Sequence, residues 1–182
     1  QSNNATTSAM WKTGDNALLW AIFAYSTVLH SFSNDVGEIT SQSPSTISKD
    51  IYRTARDMIP TEDEGKYTTG HVQAFLVLAL LQYSSRQWPV ASLIAGQAML
   101  VAKHIGLAQP FLTTEEQQRT WLGCFAPDTL TSLHTGQKPC MRSSQVKNLL
   151  PLITMGNDEW EPWHLQQALL LGVATEVAEF DE

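Results

Sequence analysis

Cysteine is scarce in this chain: its 182 residues contain two, Cys124 and Cys140. Two thiols cannot build the disulfide framework of a small secreted domain. A structural zinc site requires about four ligands at close spacing, and the five histidines, at 30, 71, 104, 134 and 164, stand singly. No metal or other cofactor is therefore expected in this chain, and a reducing compartment fits its thiol usage. Basic charge is also short, with 11 Lys and Arg against 18 Asp and Glu, a net charge of −7. Nucleic-acid binders displace counterions from phosphates with Lys and Arg. No stretch here reads as a basic arm, so direct contact with DNA or RNA is not expected. Long apolar runs are missing too. The most apolar stretch, Val72 to Leu81, is about half of what a bilayer requires; it reads as a buried helix, and no membrane partner is expected. No signal peptide opens the sequence and its first residue is Gln, which reads as a fragment of a longer protein.

Enzyme signatures are absent as well. There is no glycine-rich phosphate loop and no His-Glu-x-x-His pair. The Gly-x-Ser-x-Gly elbow is also missing. The acidic cluster Glu62-Asp63-Glu64 has no second cluster to pair with, which argues against a helical metal-dependent synthase. No constellation of acid, base and nucleophile meets the geometric requirements of a catalytic site, so catalysis is not expected.

What remains is a globular balance, 43% hydrophobic and 16% charged. The length suits one domain with a real core, and low charge implies either much buried surface or a surface that meets more protein. No alternating strand pattern and no internal repeat occur. Apolar spacing of three and four residues recurs instead, which predicts an all-α fold of about six helices in an irregular antiparallel array.

The first helix is expected from Gly14-Asp15, with Asp15 as its N-cap, to Ser33-Asn34. Its inward face is read as Leu18, Leu19, Ile22, Phe23, Leu29 and Phe32. A second helix carries Ile47, Ile51, Ala55, Met58 and Ile59, and stops at Pro60. Thr68 or Thr69 caps a third, His71 to about Arg86. Val72, Phe75, Leu76, Ala79, Leu80 and Tyr83 line one of its faces, widened by Leu78 and Leu81. Pro89 suits the first turn of a fourth helix. Ala91, Ile94, Ala95, Ala98, Met99, Ala102 and Ile105 face inward there, and Gly106 occupies the left-handed C-terminal position. Ala95, Gly96 and Ala98 are small enough to admit a close neighbour. From His71 to Ala102 the one formally charged residue is Arg86, so these two helices are expected to form a central antiparallel hairpin.

Thr113 to Gln117 gives a capping-box signal in two registers. The fifth helix turns Trp121, Cys124, Phe125, Thr129 and Leu133 inward, is expected to kink at Pro127, and ends at Gly136. Residues 137–161 read as loop, with one short turn from Ser143. A sixth helix from Pro162 would bury Leu165, Leu169, Val173 and Val177 ahead of a fraying acidic tail.

Two neighbouring segments carry a family resemblance. Gly96, Ala98, Ala102 and Ile105-Gly106-Leu107 resemble the "G-x-A … A-x-x-L-G-L" helix of the fungal-specific transcription factor domain, the middle homology region of zinc-cluster regulators. Glu115 to Trp121, then Asp128, then Gly136-Gln137-Lys138-Pro139, resemble that family's "E-x-R-R-x-W-W … L-D … G-R-P" segment. Pro151 matches the proline that closes the region. The similarity covers about residues 69–151. This chain departs from the pattern at Gln118, Leu122, Pro127 and Gln137, which leaves Asp128 without the family's arginine. Gly123-Cys124-Phe125, Asp128-Thr129-Leu130 and Glu159 to Trp163 look most similar to members related to quinate-utilisation activators.

The resemblance implies a single regulatory domain over residues 1–182, in a protein of the nucleus that controls RNA polymerase II transcription. The family's zinc-cluster DNA-binding domain, with its zinc, is not present in this sequence, so the resemblance implies that it precedes residue 1 or has been lost. A small-molecule metabolite effector, other regions of the same factor or co-regulators are the implied partners. The alternative is a dimerisation or protein-interaction scaffold without ligand sensing, with a homodimer as its partner. Gly96, Gly106, Arg119, Trp121, Asp128, Gly136 and Pro139 are read as structural. For ligand contact the candidates are His104, Asp128, His134 and Arg142. The structural readings stand beside these: His104 and His134 suit helix C-termini, and Asp128 suits a hydrogen bond from a loop residue such as Lys138. Cys124 reads as a buried thiol, and Cys140 as a loop thiol. Trp160 and Trp163 either staple a loop to the body or line a pocket.

Overall fold

The computed structural model describes residues 13–34, 46–61, 66–109, 114–136 and 138–139. Among them every regular element is helical: α1 (Gly14–Asn34), α2 (Thr46–Asp57), α3 (Thr69–Ser84), α4 (Trp88–His104) and α5 (Glu115–Thr135). The expected all-α fold is borne out. The proposed sixth helix, the turn at Ser143, Cys140, Arg142, Pro151, Trp160 and Trp163 lie outside the described residues. The chain groups into two compact units, residues 1–101 and 102–182.

In the first unit α1 packs most closely on α3, and next on α2. Gly14 abuts Gly70 at the start of both α1 and α3. Ala24 and Val28 meet Leu81 nearer their ends, with Tyr25, Ile51 and Tyr52 packed alongside. These two levels of contact make α1 and α3 parallel. The first turns of α2 meet their C-terminal ends, while Arg56, further along α2, lies over the Phe75 ring at 5.3 Å. α2 therefore runs back against both. Arg56 also donates to Gln97 Oε1 of α4 at 3.1 Å, and Tyr83 packs on Trp88 across the connecting turn, ring centroids 5.3 Å apart. Those two levels make α4 antiparallel to α3, as the hairpin expectation has it.

The caps explain where the helices begin. Thr13, not the expected Asp15, opens α1: its hydroxyl accepts from Asn16 N–H at 3.3 Å and its carbonyl from Ala17 N–H at 3.0 Å. Asp15 sits in the first turn, where a carboxylate suits the helix dipole. Thr68 caps α3, and its N–H donates to Nδ1 of the buried His71 at 3.0 Å. Thr68 Oγ1 is 3.1 Å from the same nitrogen. Because Nδ1 accepts, the neutral ring carries its proton on Nε2.

The C-terminal ends of α3 and α4 share one motif. At α4, Gly106 takes φ +84°, with Leu107 N–H donating to Ala102 O and Gly106 N–H to Lys103 O. At α3, Gln87 N–H donates to Gln82 O and Arg86 N–H to Tyr83 O, which is the same Schellman pattern. Here the left-handed position holds Arg86, at φ +57°.

The inward face of α1 differs from the expected one. Its buried residues are Gly14, Ala17, Ala21, Ala24 and Val28, whereas Leu19, Ile22, Phe23 and Leu29 are exposed. Leu18 is half-buried, and the side chain of Phe32 is outside the described set. Small residues face inward because α1 and α3 touch backbone to backbone, which leaves no room for a leucine. On α3 the fully buried leucine is Leu78, worth roughly 2 kcal/mol of burial, while Leu80 is exposed and Leu76 and Tyr83 are half-buried. Ala55 and Ile59 of the second segment are buried as expected. The expected inner face of α4 is borne out from Ala91 to Ala102, with Val101 added and Ile105 half-buried. A Cβ at Gly96 would meet nothing within 4 Å among the described residues, so Gly96 does not serve a close approach among them.

In the second unit α5 buries Thr120, Trp121, Cys124, Phe125, Pro127, Thr129 and Ser132. Leu133, expected inward, is exposed, and Ser132 takes the inner place by donating its hydroxyl to Asp128 O at 2.8 Å. Thr114 wins between the two capping registers, accepting from Gln117 N–H at 3.3 Å. The helix continues through Pro127 and ends at Gly136, φ +65°.

Candidate functional site

The site begins with α2. Lys49, Arg53 and Arg56 recur at four and three residues, so they share one face of the helix. That face looks into a cleft of about 520 Å³ in the first unit, lined by Val28, Lys49, Tyr52, Arg53, Arg56, Leu81, Gln82, Ser85 and Gln87. The volume lies in the range of small-molecule sites. Val28 and Leu81 make an apolar floor with Tyr52 against it. Gln82, Ser85 and Gln87 offer hydrogen-bonding groups from the end of α3 and its turn.

Among the described residues no acidic side chain lines the cleft, against three cationic ones. Arg56 is fixed on two sides, by the Phe75 ring and by Gln97. Cation–π contacts of this kind contribute roughly 1 kcal/mol. Arg53 has a long ion pair with Asp50, 4.0 Å, between side chains about three-quarters exposed (75% and 72%), and such pairs are worth little. The first turn of α2 carries no acid, so the positive end of its dipole is not offset there. The left-handed Arg86 turns the chain so that its neighbours Ser85 and Gln87 both line the cleft.

Among the described residues, none of the ligand candidates read from the sequence lines this cleft. His104 ends α4 and is exposed; His134 lies in the last turn of α5 and is exposed. Asp128 is half-buried on α5. Arg142 is outside the described residues. The family-motif positions read as structural are distributed similarly. Trp121 is buried, as expected. Arg119 pairs with Glu115 one turn back, and Pro139 is half-buried. Burial, then the Asp128 carboxylate, push the Cys124 thiol up to about 12, so it is an inert core thiol. The cleft residues carried one legible signal, the basic face of α2. Its acidic neighbours Asp50 and Asp57 disguise it in a charge count. Among the described residues no group of His, Cys, Asp and Glu could hold a metal ion, and no helix is long and apolar enough to cross a membrane.

Comparison with known proteins adds a lineage. Residues 4–176 match the fungal specific transcription factor domain. The "Quinic acid utilization activator" of Emericella nidulans is 31% identical over 163 residues, 86% of this chain and 20% of that protein. "Transcription factor qa-1f" of Neurospora crassa is 31% identical over 117 residues, 63% of this chain and 14% of its own length. The chain thus spans a fifth or less of the curated relatives it matches. No solved structure matches it. With the match running over nearly its whole length, the chain belongs to the fungal-specific transcription factor domain family.

Proposed function

We propose that this chain is the effector-responsive regulatory domain of a nuclear zinc-cluster transcription factor, and that it acts by binding, without catalysis and without a cofactor of its own. The observation that carries this reading is the cleft between α2, the end of α3 and its turn, which joins an apolar floor to convergent polar groups. A small molecule seated there touches three helices and the turn. It would favour the arrangement in which they close on it, which is how a ligand shifts a population. The names of the relatives make quinate and related hydroxy acids the first effectors to try. A thermal-shift screen of the chain against quinate, shikimate, sugars and amino acids tests binding, since a ligand of the folded state raises the melting temperature with concentration. A reporter driven by this chain joined to a foreign DNA-binding domain tests regulation. Expression that tracks a hit from the screen supports the reading, and expression indifferent to every hit removes it.

The scaffold reading has its own observation. Leu19, Ile22, Phe23 and Leu29 expose an apolar face of α1, and Leu93 and Leu100 do so on α4. Exposed apolar patches of this kind commonly mark interaction surfaces. Sedimentation giving a dimer at micromolar concentration supports it, and a monomer counts against it.

A further inference from the structure

We propose that the ligand of this cleft is a small organic anion whose carboxylate is held by Lys49, Arg53 and Arg56 while its carbon body rests on Val28, Leu81 and Tyr52. The proposal deepens the effector reading above and rests on it. Its first support is charge. The chain carries −7 overall, yet the described residues that line this one cleft include three cations and no acid. Like charges four residues apart on a helix repel, and an anion between them removes that repulsion.

Geometry is the second support. The bond to Gln97 Oε1 occupies one donor of the Arg56 guanidinium, and a guanidinium has five. With one end tethered and its face on Phe75, the rest of the fork is preorganised for a carboxylate. Among the described residues Lys49 makes no ion pair, and Arg53 makes only the long one to Asp50.

The opposite wall supplies the remaining selectivity. Gln82, Ser85 and Gln87 are neutral hydrogen-bonding groups, suited to hydroxyls or a carbonyl on the ligand body. The N–H groups of Ser85, Arg86 and Gln87 are committed to carbonyls of α3, so this wall recognises through its side chains. The apolar floor requires carbon, which inorganic phosphate lacks.

Binding to the full chain is read by NMR shift perturbation at low salt. The probes are quinate, shikimate and benzoate, with cyclohexanecarboxamide as the uncharged control, inorganic phosphate as an anion without a carbon body, and a glutamate-rich peptide. At least one carboxylate is expected to perturb α2 and the Ser85–Gln87 turn, with the amide silent and the effect weakening as salt rises. Lys49→Gln and Arg53→Gln, both at exposed positions that leave the fold intact, are expected to weaken it by about tenfold or more each, since hydrogen bonds to charged groups are worth about 1.5–3 kcal/mol. Silence from all three carboxylates up to about 10 mM, well above a weak millimolar affinity, overturns the proposal. Equal response to the amide, or response to phosphate alone, does so as well. Response to the acidic peptide alone overturns it and assigns the cleft to a protein segment. The two readings fail separately. Carboxylate binding with an indifferent reporter keeps the anion site and removes the effector role. A responsive reporter untouched by Lys49→Gln and Arg53→Gln does the reverse.

Discussion

Gly14 and Gly70 meet backbone to backbone at the start of α1 and α3. A Cβ on Gly70 would lie 2.5 Å from the carbonyl carbon of Gly14 and 2.8 Å from its oxygen. A Cβ on Gly14 would lie 3.0 Å from Gly70 Cα and 2.1 Å from Thr68 Oγ1. Apart from the Thr68 hydroxyl, these are backbone obstacles that no rotamer change relieves, so the contact sets how closely the two helices approach. The buried alanines of α1, at 17, 21 and 24, continue the same seam.

Gly70→Ala is therefore expected to destabilise the chain by about 3 kcal/mol, at the upper end of overpacking costs. Urea denaturation measures this. An unchanged midpoint would show that the helices separate freely at this point.

Arg86 holds a left-handed backbone where α4 uses Gly106. A non-glycine residue there costs roughly 1–2 kcal/mol. Arg86→Gly relieves that strain but adds freedom to the unfolded chain, so a net gain of about 0.5–1 kcal/mol is expected. Arg86→Val should lose stability, because a β-branched residue tolerates this region worst. The order Gly, Arg, Val in melting temperature is the check.

Thr114 is the N-cap of α5. Thr114→Ala removes the acceptor for Gln117 N–H and should cost about 1 kcal/mol. Thr114→Asp should restore the bond, and thermal melts of the pair separate capping from mere side-chain loss.

Cys124 supplies a pH dependence. Its folded pKa of about 12 lies above the ordinary thiol value of 9.0 because burial, then Asp128, disfavour the thiolate. A raised folded pKa favours the protonated form, so its stabilising effect is complete below pH 9 and is lost as pH rises from there through 12. The informative quantity is the difference between wild type and Cys124→Ala in the loss of stability from about pH 8 to about pH 10.5, with wild type losing more. Parallel curves would place the thiol in contact with water.

Much of this architecture was legible in the sequence because it depends on near neighbours along the chain. The all-α class followed from apolar spacing, and the stops at Pro60, Gly106 and Gly136 from backbone chemistry that those residues carry anywhere. Thr114 offered a cap by the same logic. The inner face of α4 was readable since its alanines, Ile94 and Met99 fall on one side and Leu93 and Leu100 on the other.

The rest was decided by contacts between distant residues. α1 is apolar on both sides, so periodicity announces a helix but not which face turns in. The Gly14–Gly70 contact selects the alanine seam and leaves Leu19, Ile22, Phe23 and Leu29 outside. Leu80 and Leu133 are exposed for a related reason: an apolar residue is buried only where a neighbour covers it. The cleft draws its lining from positions between Val28 and Gln87. The basic face of α2 was written in the sequence. What lies opposite it, the floor of Val28 and Leu81 and the turn bent by Arg86, exists only once the helices pack, because no local rule brings residues so far apart in the chain to one place.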